Sequence, residues 1–131
     1  MKKFNKEKLS GKMEFKKVFS EGKRVESENL LVFILKNKFN FNRPGIIVKK
    51  EIGNAVTRNK IMRRLRETYR QINRKLFQGC DIIILVKKNI VELEYTNVYN
   101  ELEGLFISKT FLYKTYKERS IIFNQNDTEK H

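Results

Sequence analysis

The sequence predicts an α+β sandwich with the element order αβββαβα, a small sheet covered by helices. Runs rich in branched and aromatic residues, NLLVFILKN, GIIVKK and DIIILVK, have strand character. Between the last two lies a long segment, Asn54 to Leu76, whose apolar residues recur at helical spacing. At 131 residues the chain can bury one compact core but cannot divide into two ordinary domains.

From the N-terminus, Ser10 can cap a helix running to about Ser20. Met13, Phe15, Val18 and Phe19 fall at helical spacings, and Gly22 supplies the stop. KRVES and NLLVFILKN then read as a short strand turning into a longer one. In the longer strand Leu30, Val32 and Ile34 point to one side and Leu31, Phe33 and Leu35 to the other. Asn37 to Pro44 is a polar turn, and Gly45 to Lys50 a third strand. After the Asn54–Leu76 helix, Gly79 closes the connection to a fourth strand, Asp81–Lys87, whose unbroken apolar run predicts burial on both faces. Thr96 or Asn97 begins a last helix with Val98, Leu102, Leu105 and Phe106 on one stripe.

The long helix is unusual in its polar face. At about 100° per residue, with Ile61 as zero, Leu65, Ile72 and Leu76 stay within about 60°, with Thr68 and Tyr69 near the edge. Asn59, Arg63, Arg66, Arg70 and Arg74 fall at about 140° to 220°, opposite the core. Like charges at i, i+4, as in Arg66 with Arg70, cost an isolated helix a few tenths of a kcal/mol each. Stability alone does not select this pattern, whereas the planar guanidinium grips phosphate bidentately and stacks on bases. At the helix entry Gly53 permits a turn and Asn54 can cap, leaving backbone N–H groups beside Lys49 and Lys50 for an anion.

Charge supports a polyanionic partner. The formal net charge is +14, and eleven basic side chains lie between residues 43 and 75 against only Glu51 and Glu67. The last two fifths of the chain are near neutral, so the positive field belongs to a binding face rather than to general solubility. Cys80 and the terminal His131 are the only residues of their kinds, which leaves no disulfide, zinc cluster or catalytic triad to build. Cys80 is expected to be a small buried thiol. The longest apolar run, Leu30–Leu35, is six residues, and no apolar stretch follows the basic N-terminus. No membrane association is expected, and the chain reads as cytoplasmic.

Phe15 and Phe19 stand one helical turn apart, with Phe33 in a neighbouring strand. Any one of them could be core. Together with Lys49, Lys50 and Lys87 at strand ends, they could instead form a groove that stacks bases and holds phosphates of single-stranded RNA.

The segment GNAVTRNKIMRRLRE resembles the arginine-rich signature of the protein subunit of bacterial ribonuclease P. Gly53, Asn54, Ala55, Val56, Arg58, Asn59, Lys60, Arg63, Arg66 and Glu67 match as they stand. MEFKKVFSEGKRV, GIIVKKEIGN and GCDIIILVKK resemble the flanking elements, so the likeness covers about residues 9–113. Residues 1–8 are left as a flexible basic terminus and 114–131 as a polar, partly frayed tail. The resemblance implies a left-handed βαβ crossover through the basic helix, a ribosomal protein S5 domain 2-like fold. It also implies that Asn54, Arg58, Asn59, Lys60, Arg63, Arg66 and Arg70 face the catalytic RNA of the holoenzyme. Phe15, Phe19, Phe33, Lys49, Lys50 and Lys87 would line a cleft for the 5′ leader of precursor tRNA. Endonucleolytic removal of that leader would then be performed by the RNA with its bound Mg²⁺, one protein chain per RNA, with no catalytic or metal-binding residue on this chain. Met62 and Glu51 depart from the signature, where basic residues are usual, and Arg64 is expected to replace the charge missing at Met62. The alternative is a small basic ribosomal or structural RNA-binding protein with no part in tRNA processing.

Overall fold

The computed structural model describes residues 8–108. The basic terminus before Lys8 and the polar tail lie outside the described residues. The order is α1 (Lys12–Glu21), β1 (Lys23–Glu26), β2 (Leu30–Lys36), β3 (Arg43–Ile47), a short 3-10 turn (Lys50–Ile52), α2 (Ala55–Asn73), β4 (Cys80–Val86) and α3 (Tyr95–Ser108). This is the expected αβββαβα arrangement.

The four strands form one sheet in the order β1-β2-β4-β3. β4 is antiparallel to β2, with Phe33 opposite Ile83, and parallel to β3, with Gly45 opposite Ile83. The connection between parallel neighbours has to cross the sheet, and α2 makes that crossing. On one face α2 and α3 bury Ile61, Leu65, Ile72, Val98, Leu102 and Phe106 against Leu30, Val32, Ile34, Ile82 and Ile84. On the other face α1 lays Val18 over Ile83, with Leu9 beside them and Phe15, Phe33, Leu35 and Ile47 around the rim. β4 is therefore apolar on both sides, as its sequence required. The alternation in β2 follows the expected split, with Leu30, Val32 and Ile34 buried and Leu31, Phe33 and Leu35 half-buried.

The structure differs from the sequence reading in several places: β3 ends at Ile47 rather than Lys50, which opens the 3-10 turn, α2 ends at Asn73 rather than Leu76, and α3 begins at Tyr95. Gly11, not Ser10, occupies the N-cap of α1, at φ 94°, a left-handed conformation natural to glycine, and no side chain caps the helix. Met13 leaves the apolar stripe and is 77% exposed. Pro44 belongs to β3 rather than to the preceding turn. β3 is a sheet edge, where a residue without an N–H costs no ladder bond, and the Pro44 carbonyl accepts a hydrogen bond from the Leu9 N–H at 3.1 Å.

Polar groups lock the connections. The buried Asn42 carboxamide donates to Asn73 Oδ1 and the Phe77 carbonyl, and its oxygen accepts from the Gly79 and Cys80 N–H groups. That side chain closes the turn between α2 and β4. Cys80 is buried as expected, and burial pushes its thiol pKa up. Glu101 on α3 accepts from the Ser27 hydroxyl, the Asn29 N–H at 2.8 Å and the Asn29 side chain at 2.8 Å, tying α3 to the β1–β2 turn. Burial pushes the Glu101 carboxyl up, but these donors outweigh it and hold it below the ordinary range.

A carboxylate with a lowered folded-state pKa contributes stability above its unfolded pKa and loses it as pH falls through the folded value. Glu101→Ala should therefore destabilise the protein by about 1–3 kcal/mol near neutral pH, the cost of stranding buried donors. The gap to the native chain should shrink below about pH 4, where Glu101 protonates in the unfolded state and then in the folded one. Urea unfolding at both pH values checks this, and an unchanged gap would exclude the carboxylate as its source.

Candidate nucleic-acid interface

The first surface is the outer side of α2. Asn54 caps the helix, its side chain accepting from the Thr57 N–H at 2.8 Å. Its inner stripe, Ile61, Leu65, Thr68, Tyr69 and Ile72, is buried. Asn59, Lys60, Arg63, Arg66, Arg70 and Arg74 are exposed on the other side, as the helical spacing predicts. Among the described residues, Asn59, Lys60, Arg63 and Arg66 make no side-chain hydrogen bond or ion pair and are free to take a ligand. Arg70 is bonded to Glu67 one turn earlier, in an exposed pair.

Two basic residues are already engaged. Arg58 is half-buried and its Nε donates to the Gly53 carbonyl at 3.0 Å, so it braces the helix entry from below. The Arg64 guanidinium donates to the Leu93 carbonyl and fastens α2 to the loop before α3, keeping its charge beside Lys60, Arg63 and Arg66. Met62 lies on the β3 side of α2, lining a small recess with Leu9, Phe15, Pro44, Ile46 and Arg66.

Between α2 and the start of α3 runs a groove of about 740 Å³, lined by Lys60, Arg63, Arg66, Arg70 and Tyr95, among others. Tyr95, 37% exposed, was not singled out by the sequence reading. Its signal is faint: by spacing it falls on the apolar stripe of α3, one turn before Val98, in the polar stretch ELEYTN, and so reads as core.

The second surface is on the opposite face of the sheet. Phe19 and Phe33 meet edge to face, ring centroids 4.9 Å apart, and Phe19 is 38% exposed. Phe15 packs over Gly45. A Cβ at Gly45 would sit 2.6 Å from the Phe15 ring, so only glycine lets the ring lie down on β3. The three phenylalanines thus share one face, partly as core and partly open. The cations beside Phe15 and Phe19 are Lys12 and Lys16, which line the same groove and were missed in the sequence. Lys49 and Lys50 are exposed just beyond the end of β3, whose Ile47 borders the phenylalanines. Lys87 bonds Glu26 and the Ser27 carbonyl, latching the end of β4 to the β1–β2 turn. That contact with Lys87 lowers the Glu26 pKa.

Comparison with known proteins decides among the RNA-binding readings. The family model described as Ribonuclease P matches residues 4–109. The chain belongs to the ribonuclease P protein family. The ribonuclease P protein component of a Thermoanaerobacter species is 38% identical over 106 residues, 81% of this chain and 90% of that one. That of Caldanaerobacter subterraneus is 37% identical over 112 residues, 86% and 95% of the two chains. Among solved structures, the Thermotoga maritima RNase P protein superposes with a TM-score of 0.70 at 31% identity, covering 76% of this chain and 94% of that one. The Staphylococcus aureus RNase P protein gives 0.72 at 27% identity, covering 79% and 95%. Membership in the ribonuclease P family places the chain in tRNA processing and disfavours the ribosomal alternative. No helix among the described residues is long and apolar enough to cross a membrane.

Replacing Gly45 by alanine tests the packing of the phenylalanine face. The added methyl has to displace the Phe15 ring, and overpacking of this kind costs about 1–3 kcal/mol. Thermal or urea unfolding of Gly45→Ala should show that loss, and an undiminished stability would mean that Phe15 swings aside freely.

Proposed function

We propose that this chain, as the protein component of ribonuclease P, holds the catalytic RNA on the outer face of α2. In the same complex it receives the single-stranded 5′ leader of precursor tRNA on the Phe15, Phe19 and Phe33 face. The observation that carries the reading is the run of unpaired Asn59, Lys60, Arg63 and Arg66, directed away from the core on a helix of the ribonuclease P family. Phosphates neutralised there release counterions, and the guanidinium forks add bidentate geometry. Asn54 and Arg58 serve that face indirectly, as cap and brace of the helix entry. On the leader side, the exposed Phe19 ring offers a stacking surface, while Lys12, Lys16, Lys49 and Lys50 supply charge. Lys87 serves that side indirectly, through the sheet end it latches.

The chain's residues bind and orient rather than cut. Among the described residues no group of three His, Cys, Asp or Glu side chains could hold a metal ion. In this reading Mg²⁺ is held mainly by the RNA, through phosphate oxygens and water. Holding the leader against the protein fixes the scissile bond relative to the RNA, which lowers the entropic part of the barrier. One chain per RNA, acting in the cytoplasm, completes the proposal.

Adding the purified chain to ribonuclease P RNA at low salt should raise cleavage of a leader-bearing precursor tRNA above that of the RNA alone. No gain would defeat the reading. Arg63→Ala with Arg66→Ala should weaken assembly and flatten its salt dependence by about 0.7–0.9 in log–log slope per lost phosphate contact. Phe19→Ala should weaken precursor binding by about 1–3 kcal/mol, the worth of one stacked base, and leave mature tRNA binding unchanged. Equal losses for both RNAs would assign Phe19 to folding alone.

A further inference from the structure

A second groove, of about 700 Å³, lies on the far side of α1 from the Phe19–Phe33 pair. Lys16 and Lys17 border it from α1, and Lys36 and Lys38 border it from the end of β2 and the following turn. None of these four lysines has an ion-pair partner among the described residues. The groove also holds three carboxylates, from Glu14, Glu21 and Asp81. Arg43 bonds two of them, lying 3.4 Å from Glu14 and 2.8 Å from Asp81, and its single charge offsets one. Two negative charges are then left against the four lysines, and the groove stays net positive.

The groove has an aromatic wall as well. Phe39 is 45% exposed, yet its position is fixed by Arg43, whose guanidinium lies 4.5 Å from the ring centroid, and by Phe41 at 5.4 Å. Met13, 77% exposed at the rim, adds apolar surface that packing inside the chain does not use. Lysines interleaved with an ordered, partly open aromatic are the features that hold a single strand, the cations on phosphates and the ring on a base. Met13 and Lys16 line both this groove and the one that contains Phe15 and Phe19, so the two are joined over the exposed side of α1.

We propose that single-stranded RNA leaving the Phe15–Phe19 groove crosses α1 at Met13 and Lys16 and continues into the groove of Lys17, Lys36, Lys38 and Phe39. The inference rests on the proposed leader-binding face and extends it to more distant leader nucleotides. Crossing a helix about 10–12 Å wide takes about three or four nucleotides at the ~3.4 Å rise of a stacked strand. A leader too short to cross gains nothing from the second groove.

The test uses holoenzyme reconstituted from the full chain and ribonuclease P RNA, with precursor tRNAs bearing short (about four nucleotides) and long (about ten nucleotides) unstructured leaders. The native holoenzyme should bind the long-leader substrate several-fold more tightly than the short-leader one. Lys36→Ala combined with Lys38→Ala, both exposed positions, should abolish that gain and leave short-leader binding unchanged. The salt slope for the long leader should flatten by about 0.7 per lost contact, the single-strand value. If lengthening the leader adds no affinity, or the double variant keeps the whole gain, the second groove is refuted while short-leader discrimination from mature tRNA still upholds the first. If the short leader itself adds nothing over mature tRNA, both readings fall. Equal rescue by a base-paired extension of the same length would also overturn the proposal, since a duplex offers no unstacked bases to Phe39.

Discussion

Burial of β4 on both faces is the constraint from which the rest of the molecule follows. Ile82 and Ile84 need α2 and α3 over them, and Ile83 needs α1. Each fully buried aliphatic side chain contributes about 1.5–3 kcal/mol, so neither layer can be given up cheaply. Covering the first face while delivering the chain to β4 parallel to β3 obliges the connection to be a helix of this length. That helix has one side committed to the sheet and the other open, and the open side is where the arginines stand. Covering the second face with a ten-residue helix leaves part of the sheet bare, and Phe19 and Phe33 occupy the edge of that gap.

The arginine face is tolerated because α2 does not depend on its own propensity. Repulsion between successive arginines amounts to tenths of a kcal/mol, against several kcal/mol from burying Ile61, Leu65 and Ile72. Some basic side chains are paired within the fold. Arg43 lies between two carboxylates, and Lys87 is set against Glu26. Among the described residues, unpaired cations stand on the outer side of α2 and around α1. An exposed pair would contribute under about 1 kcal/mol to stability, so leaving these cations free costs the fold little.

Periodic features were legible in the sequence because periodicity is local. The stripe of α2, the alternation of β2 and the two-sided burial of β4 follow from spacing, and all three hold. The signature from Gly53 to Glu67 was legible for a different reason, as a resemblance, and it named the family that the comparisons establish. The misreadings share one physical origin. What Lys87 and Arg64 bond depends on Glu26 and Leu93, residues far away in the chain that only the tertiary fold brings near. Pro44 looks like a turn residue until the strand order shows that it lies on an edge. Lys12 and Lys16 look like ordinary helix solvation until the rings of Phe15 and Phe19 are seen beside them.

The separation of the two surfaces has an energetic meaning of its own. The arginine face rests on one side of the sheet and the phenylalanine face on the other, and they meet at the β3 edge, where Arg66 and Phe15 line one recess; in the proposed complex a large RNA on α2 and a single strand on α1 would draw on largely different cations. In the proposed complex a substrate already held by the RNA would present its leader to the phenylalanine face as an intramolecular event, at an effective concentration that short tethers raise to the millimolar range. A few weak contacts, one stacked base and a pair of lysines, are then enough to matter, although they would bind a free oligonucleotide poorly. Modest, shallow grooves are what such a division of labour requires. A deep pocket would add affinity for the leader after its release, when the product has to depart.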